Sequence, residues 1–216
     1  MAQVREQLPL PALNVWENLT MPDHDHHVST SAGAVPEAAD HAVIEATTVW
    51  LEKAVIGLNL CPFAKAVHRK NQIRYVVSRA TDGAELEAGL EAELTLLHAA
   101  DPDAIDTTLL IHPRVLMDFF DYNCFLPIAD RVLKRLKLKG ELQIASFHPQ
   151  YAFADCVADA IENHTNRSPY PMLHLLREAS IERAVGAFPL AADIYQKNID
   201  TLRALGIDGW RALTKN

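Results

Sequence analysis

Two short stretches set a histidine before a proline at the end of an apolar run: Leu109-Leu110-Ile111-His112-Pro113 and Ala145-Ser146-Phe147-His148-Pro149. Proline cannot donate to a β-ladder, and it holds the residue before it extended, so each His-Pro marks where a strand leaves its sheet. Both histidines are then expected at the carboxyl edge, where open α/β folds form their ligand crevices. If the two strands are neighbours, a spacing of roughly 5 Å lets the imidazoles converge on one ligand or one metal ion. Imidazole titrates closest to neutrality, which makes His112 and His148 candidate acid/base or metal-binding groups. The plainer alternative is that each ring only ends its strand and hydrogen-bonds a loop carbonyl.

A second cue is Asn163-His164-Thr165-Asn166-Arg167-Ser168-Pro169-Tyr170-Pro171, at the end of some twenty residues with weak periodicity. Long aperiodic loops in compact domains are usually functional or disordered. Ser168 as an N-cap with Pro169 at the first helical position predicts a helix start. Its free N–H groups and dipole favour an anion. Arg167 could clamp a carboxylate or phosphate there in bidentate fashion, flanked by Asn166 and Ser168. Equally, Asn166 and Ser168 could merely cap the helix while Arg167 pairs with a surface acid.

Cys61, in Asn59-Leu60-Cys61-Pro62-Phe63-Ala64-Lys65, is a third candidate, as a nucleophile or as a third metal ligand beside the two histidines. Lys65 and His68 nearby in sequence would favour a thiolate, while a small buried apolar role is the alternative. The Cys-Pro-Phe-Ala tetrad resembles the active-site start of omega-type glutathione transferases and glutaredoxins, in which a strand precedes the cysteine. Here a long helix precedes it, so no glutathione chemistry is carried over. Cys124 and Cys156 show no Cys-x-x-Cys or Cys-x-x-His spacing and receive no role.

The elements that must position these groups follow from the hydrophobic period. Val43, Thr47, Trp50, Leu51, Ala54, Val55 and Leu58 predict a helix over 40–58, with Asp40 as its N-cap. Strands are expected at 73–78, 107–112 and 142–148. A leucine-striped helix over 85–99 lies between the first two. A second helix, over 115–138 and kinked or broken near Asn123 and Pro127, lies between the last two. Ser180 caps a helix to Ala187, and a last helix ends at Gly206. Residues 169–178 read either as a helix or as a strand. The strand–helix order predicts an α/β fold, a small, mainly parallel sheet of three or four strands sandwiched by helices. A ferredoxin-like α+β arrangement is the alternative, with Met172–Arg177 as the additional strand.

Length and charge bound the rest. The chain has 216 residues, 49% hydrophobic and 22% charged, with a net charge of −8. That balance predicts a globular body at 39–216 and argues against a nucleic-acid partner, since phosphate contacts need a basic surface. The basic run Arg131, Lys134, Arg135, Lys137 and Lys139 reads as a solvated helix end. No apolar run approaches the roughly 20 residues needed to cross a bilayer, so no membrane role is expected. Three sparse cysteines suggest reduced thiols and a cytoplasmic location. Residues 1–38 carry prolines, a His/Asp cluster and small polar residues, and are expected to be a disordered tail. Signatures of dinucleotide, P-loop, α/β-hydrolase and zincin enzymes are missing.

Three longer motifs carry a family resemblance. They are Trp50-Leu51-Glu52-Lys53-Ala54-Val55-Ile56-Gly57-Leu58-Asn59-Leu60-Cys61-Pro62-Phe63-Ala64, Ser146-Phe147-His148-Pro149-Gln150-Tyr151, and Asn166-Arg167-Ser168-Pro169-Tyr170-Pro171 with Leu173-His174-Leu175-Leu176-Arg177-Glu178. Over about residues 40–206 the chain resembles a bacterial family catalogued as domain of unknown function fourteen-fifteen, which implies no activity. Two functions remain open from sequence. One is a cytosolic enzyme for a small anionic substrate that uses His112, His148 and Arg167, with or without a metal. The other is a non-catalytic binding or adaptor module. Cofactor and oligomeric state are left open.

Overall fold

The structure is a computed structural model, and it describes residues 37–154, 156–186 and 194–214. The expected tail therefore lies outside the described residues, apart from the first helical turn. Helix α1 (Glu37–Trp50) runs directly into a π-helix (Leu51–Ile56), followed by α2 (Ala64–Arg69). Then come β1 (Ile73–Val77), α3 (Gly83–Ala99), β2 (Thr107–Ile111), α4 (Phe119–Arg135) and β3 (Leu142–Phe147). A short 3₁₀ helix (Ile161–Thr165), β4 (Met172–Arg177), α5 (Glu178–Gly186) and α6 (Ile194–Thr214) complete the order.

The four strands form one mixed sheet in the order β1-β2-β4-β3. β1 and β2 are parallel, while β4 runs antiparallel to both of its neighbours. Three of the four strands therefore point the same way, in keeping with an α/β fold, but only the β1–β2 ladder is parallel, so the sheet is mixed rather than mainly parallel. The element order excludes the ferredoxin-like alternative, although its proposed extra strand, Met172–Arg177, is present. One expectation needs correction: β2 and β3 are not neighbours. The register places Ile111 opposite Met172 and Met172 opposite Phe147. His112 and His148 thus leave the same edge of the sheet with a strand between them, about two strand spacings apart.

Side-chain alternation along the strands sorts the core into two layers. Leu110, Leu142, Ile144, Leu173 and Leu175 meet α3 and α4 on one face. Leu109, Ile111, Met172 and Phe147 meet α1, the π-helix and α6 on the other. Crossovers of one hand that advance in one direction across a sheet put their helices on one face, which is where α3 and α4 both lie. The leucine stripe Leu86, Leu90, Leu94 and Leu97 is fully buried. Each such side chain contributes roughly 1.5–3 kcal/mol of burial free energy. Asp82 caps α3 by accepting from Glu85 N–H at 2.8 Å, and Asp118 caps α4 in the same way.

Several boundaries differ from expectation for local reasons. Asp40 is no N-cap: it sits inside α1 and pairs with Arg79 at 2.9 Å. α4 begins after residue 118, because Leu116 adopts a left-handed φ of 56°. It runs unbroken through Pro127. Ser180 lies inside α5 and donates to Asp106 rather than capping. Residues 169–171 lead into β4, so no helix follows Ser168. At Gly206, φ 68° and ψ 170° break the helical path, and the chain resumes as a further helical segment carrying Trp210.

Tyr122 of α4 ties the sheet edge together. Its hydroxyl donates to Met172 O at 2.9 Å and accepts from Phe147 N–H at 3.1 Å. Those two residues are the last partners of the β3–β4 ladder. Removing a hydroxyl that leaves a buried donor and acceptor unsatisfied costs about 1–3 kcal/mol. Tyr122→Phe is expected to lower unfolding stability by that amount in urea denaturation. Unchanged stability would show that the ladder end does not depend on the phenol.

Candidate functional site

The carboxyl edge of the sheet carries two clusters, and the sheet divides them. The first lies on the α4 side. His112 is fully buried and its ring stacks on Tyr122, with centroids 5.8 Å apart. His148, also fully buried, packs against Tyr122 at 5.1 Å and Phe119 at 5.3 Å. The two imidazoles predicted from the His-Pro repeat are therefore brought together, around one phenol ring.

Their hydrogen bonds fix their tautomers, because a carbonyl oxygen only accepts. His112 Nδ1–H donates to Val115 O at 3.0 Å, leaving Nε2 buried with no partner. His148 Nε2–H donates to Leu116 O at 3.2 Å, and its Nδ1 accepts from Gln150 N–H at 3.0 Å. Both rings are neutral for the same reason. Desolvation pushes His112 down to about 4, against the opposing Val115 bond and with the neighbouring His148 adding to the effect. Burial likewise lowers His148, partly offset by its bond to Leu116. The loop carbonyls that hold both rings belong to residues 115–116, where the left-handed Leu116 turns the chain.

The second cluster lies on the α1/α6 side and forms a hollow of about 270 Å³. Its walls are Trp50, Pro149, His164, Arg167, Ser168, Pro169 and Trp210. That volume sits just under the roughly 300–1,000 Å³ of typical small-molecule sites. Trp50 ends α1 where the helix widens into its π turn, a feature that often marks functional positions. His164 is held edge-on to Trp210, with centroids 5.0 Å apart and planes at 71°. The pairing of Arg203 on α6 with Glu162 at 2.8 Å fastens α6 to the 3₁₀ helix that carries His164.

Arg167 is the central group of this hollow. Its Nε–H donates to Tyr151 O at 3.1 Å and Nη2 donates to Ala158 O at 2.6 Å. Nη1 approaches His164 Nε2 at 3.4 Å. Arg167 only donates, so His164 Nε2 accepts and its Nδ1–H turns to Ile161 O at 3.2 Å. Among the described residues Arg167 has no ion-pair partner. Desolvation pulls its pKa down, and the negative charge of Asp159 opposes this only at a distance. His164 is lowered by burial first and then by the Arg167 charge. The loop carrying these carbonyls is itself held by fully buried Asn163, which accepts from Phe153 N–H and donates to Val157 O and Ala158 O.

The other expected residues have mostly structural partners. Ser168 lines the hollow, but its hydroxyl donates to Tyr170 O at 2.7 Å. Asn166 is used by the scaffold: its Nδ2 donates to Ser146 O, and its carbonyl accepts from His148 N–H. The helix N-terminus expected beside Arg167 does not exist, so no helix dipole contributes to anion binding there. Cys61 follows the π-helix, and its neighbour Leu60 packs on the face opposite the histidine pair. Burial raises the Cys61 pKa against the pull of the Phe63 and Ala64 N–H groups. Among the described residues, no group of three or more His, Cys, Asp or Glu side chains is placed to hold a metal ion. Three contributors escape the sequence reading. His164 is there only part of a loop, Trp50 reads as core, and Trp210 lies beyond the glycine taken as the end of the last helix. An indole on an amphipathic segment just past a helix-breaking glycine is the available signal.

Fold and site together define a mixed α/β protein with a cationic, indole-walled hollow at the carboxyl edge of its sheet. Residues 42–212 match the family described as "Protein of unknown function (DUF1415)", and the chain belongs to that family. No curated protein and no solved structure gives a significant match. No helix among the described residues is long and apolar enough to cross a membrane.

The neutral His112 has a consequence for stability. In the unfolded chain a histidine titrates near 6.5. Between that pH and about 4 the unfolded state therefore binds a proton that the folded state refuses, and stability falls as pH falls. A gap of this size corresponds to roughly 3 kcal/mol, lost progressively as pH falls from the unfolded value and gone below the folded one. His112→Gln is expected to shrink the difference in unfolding free energy between pH 7 and pH 4.5 relative to the parent. An identical difference in both proteins would mean that His112 is not held neutral by the fold.

Proposed function

We propose that this protein binds a small anionic ligand in the Arg167 hollow at the carboxyl edge of the sheet. The observation that carries this reading is the guanidinium itself. It is partly desolvated and fixed by two carbonyls, it lines a hollow, and no carboxylate among the described residues forms an ion pair with it. A charge withdrawn from water without a partner is costly, and an anion offsets that cost. Arg167 retains N–H groups beyond those given to Tyr151, Ala158 and His164, which suits a carboxylate or a phosphate. His164 is neutral with its Nε2 turned to Arg167, so it orients the guanidinium rather than taking a substrate proton. In this reading His112 and His148 set the shape of the edge from beneath, and the protein is a binding module at this site.

A second reading keeps the enzyme. It rests on His112 Nε2, a bare imidazole nitrogen with no partner beside His148 and Tyr122. A movement of the Leu116 turn would expose both rings to the edge, where His112 would be the acid/base group or a metal ligand. Cys61 would have no part in either reading unless its segment moved as well.

Isothermal titration with acetate and inorganic phosphate separates these. Parent protein is expected to bind at least one of them, and Arg167→Gln is expected to lose about tenfold or more in affinity, in line with a charge-assisted bidentate contact. His112→Gln is expected to leave binding unchanged. No binding by the parent, or equal binding by Arg167→Gln, would refute the assignment.

A further inference from the structure

The walls of the hollow say more about the ligand than its charge. Around the Arg167 guanidinium stand two indoles, Trp50 and Trp210, and two proline rings, Pro149 and Pro169. The hollow adjoins a smaller recess of about 80 Å³ that shares Trp50 and Pro169. Its other walls are Ala46, Val49, Ala54 and Leu213, with Lys53 the one cation among them. Trp50 is only 6% exposed, and its indole N–H has no hydrogen-bond partner. A buried donor without a partner is uncommon and calls for an explanation. A simple inorganic anion would satisfy Arg167 but would leave the flat apolar walls and the recess facing water.

Resting on the anion-binding reading above, we infer that the ligand is an aryl carboxylate, with its carboxylate on Arg167 and a single aromatic ring between the indoles. The size agrees: a hollow of about 270 Å³ with an 80 Å³ annex accommodates one ring and a short substituent. The wall chemistry agrees as well. His164 and Trp210 already stand edge to face, so a third ring entering beside them continues the arrangement that aromatic quadrupoles prefer. Trp and Arg are among the side chains that most often anchor binding. An aliphatic acid would gain the apolar contact without the ring-on-ring geometry.

The test uses the full chain and four probes: benzoate, hexanoate, acetate and inorganic phosphate. Affinities come from calorimetry, and the indole N–H resonances of ¹⁵N-labelled protein report which tryptophans respond. Benzoate is expected to bind about tenfold more tightly than acetate, and more tightly than hexanoate, the scale of an added aromatic contact. It is also expected to move the Trp50 and Trp210 resonances. Trp210→Leu is expected to cost benzoate about tenfold in affinity and acetate much less, so that the two probes converge. If benzoate and acetate bind the parent equally, and both are lost in Arg167→Gln, the anion site stands and the aryl assignment fails. Tighter binding of hexanoate would overturn it in favour of an acyl chain. No binding of any probe would defeat both the inference and the reading beneath it. The comparison of probes on the parent decides the matter even if Trp210→Leu does not fold.

Discussion

A partly desolvated arginine held by two carbonyls and an imidazole is the constraint around which this edge of the molecule is organised. Tyr151 O, Ala158 O and His164 hold the Arg167 guanidinium by its donors, while its charge stays unmatched among the described residues. Carbonyl dipoles orient a cation, yet they repay only part of the cost of desolvating it. Much of the surrounding architecture serves that placement. Buried Asn163 shapes the 153–158 loop that supplies one of the carbonyls, and Asn166 pins the adjoining segment to the end of β3. The Arg203–Glu162 pair brings α6, and with it Trp210, against the 3₁₀ helix. A loop this heavily bonded costs conformational entropy to fix, and what it fixes is one positive charge facing a hollow.

The histidine pair on the other side of the sheet is a different kind of device. Two imidazoles pack around Tyr122, each donating one N–H to the 115–116 turn, and burial keeps them neutral. They join three segments that would otherwise part at the sheet edge: the end of β2, the turn before α4 and the end of β3. Tyr122 then couples β3 to β4 through its hydroxyl. The two clusters are therefore mechanically connected, since the β3 end runs on through His148 into Pro149, a wall of the hollow.

Much of this was legible in the sequence, and the misses have physical causes. The His-Pro repeat placed both histidines at the same edge because proline has no N–H to extend a ladder and holds the residue before it extended. The leucine stripe of α3 and the apolar run of β2 were equally direct. What the sequence left open was β4, offered only as an alternative at Met172–Arg177, and what it concealed was the place of that strand between β2 and β3. Ser168-Pro169 carries the chemistry of a helix start, yet the alternating residues Leu173, His174 and Leu175 found two strand edges to pair with, and ladder bonds prevailed over local propensity. That one insertion separated β2 from β3. The π turn after Trp50 was also hidden, because its apolar spacing is that of an ordinary helix. Trp210 was missed because Gly206 does stop a helical path, as its sequence suggests, while a further turn follows it.

The central claim is that an uncompensated positive charge faces the hollow, and anomalous scattering tests it whatever the natural ligand is. A crystal soaked in bromide should show an anomalous peak between Arg167 and Ser168, inside the walls formed by Trp50 and Trp210. A carboxylate of this chain seated on the guanidinium, with bromide bound only elsewhere on the surface, would contradict the account.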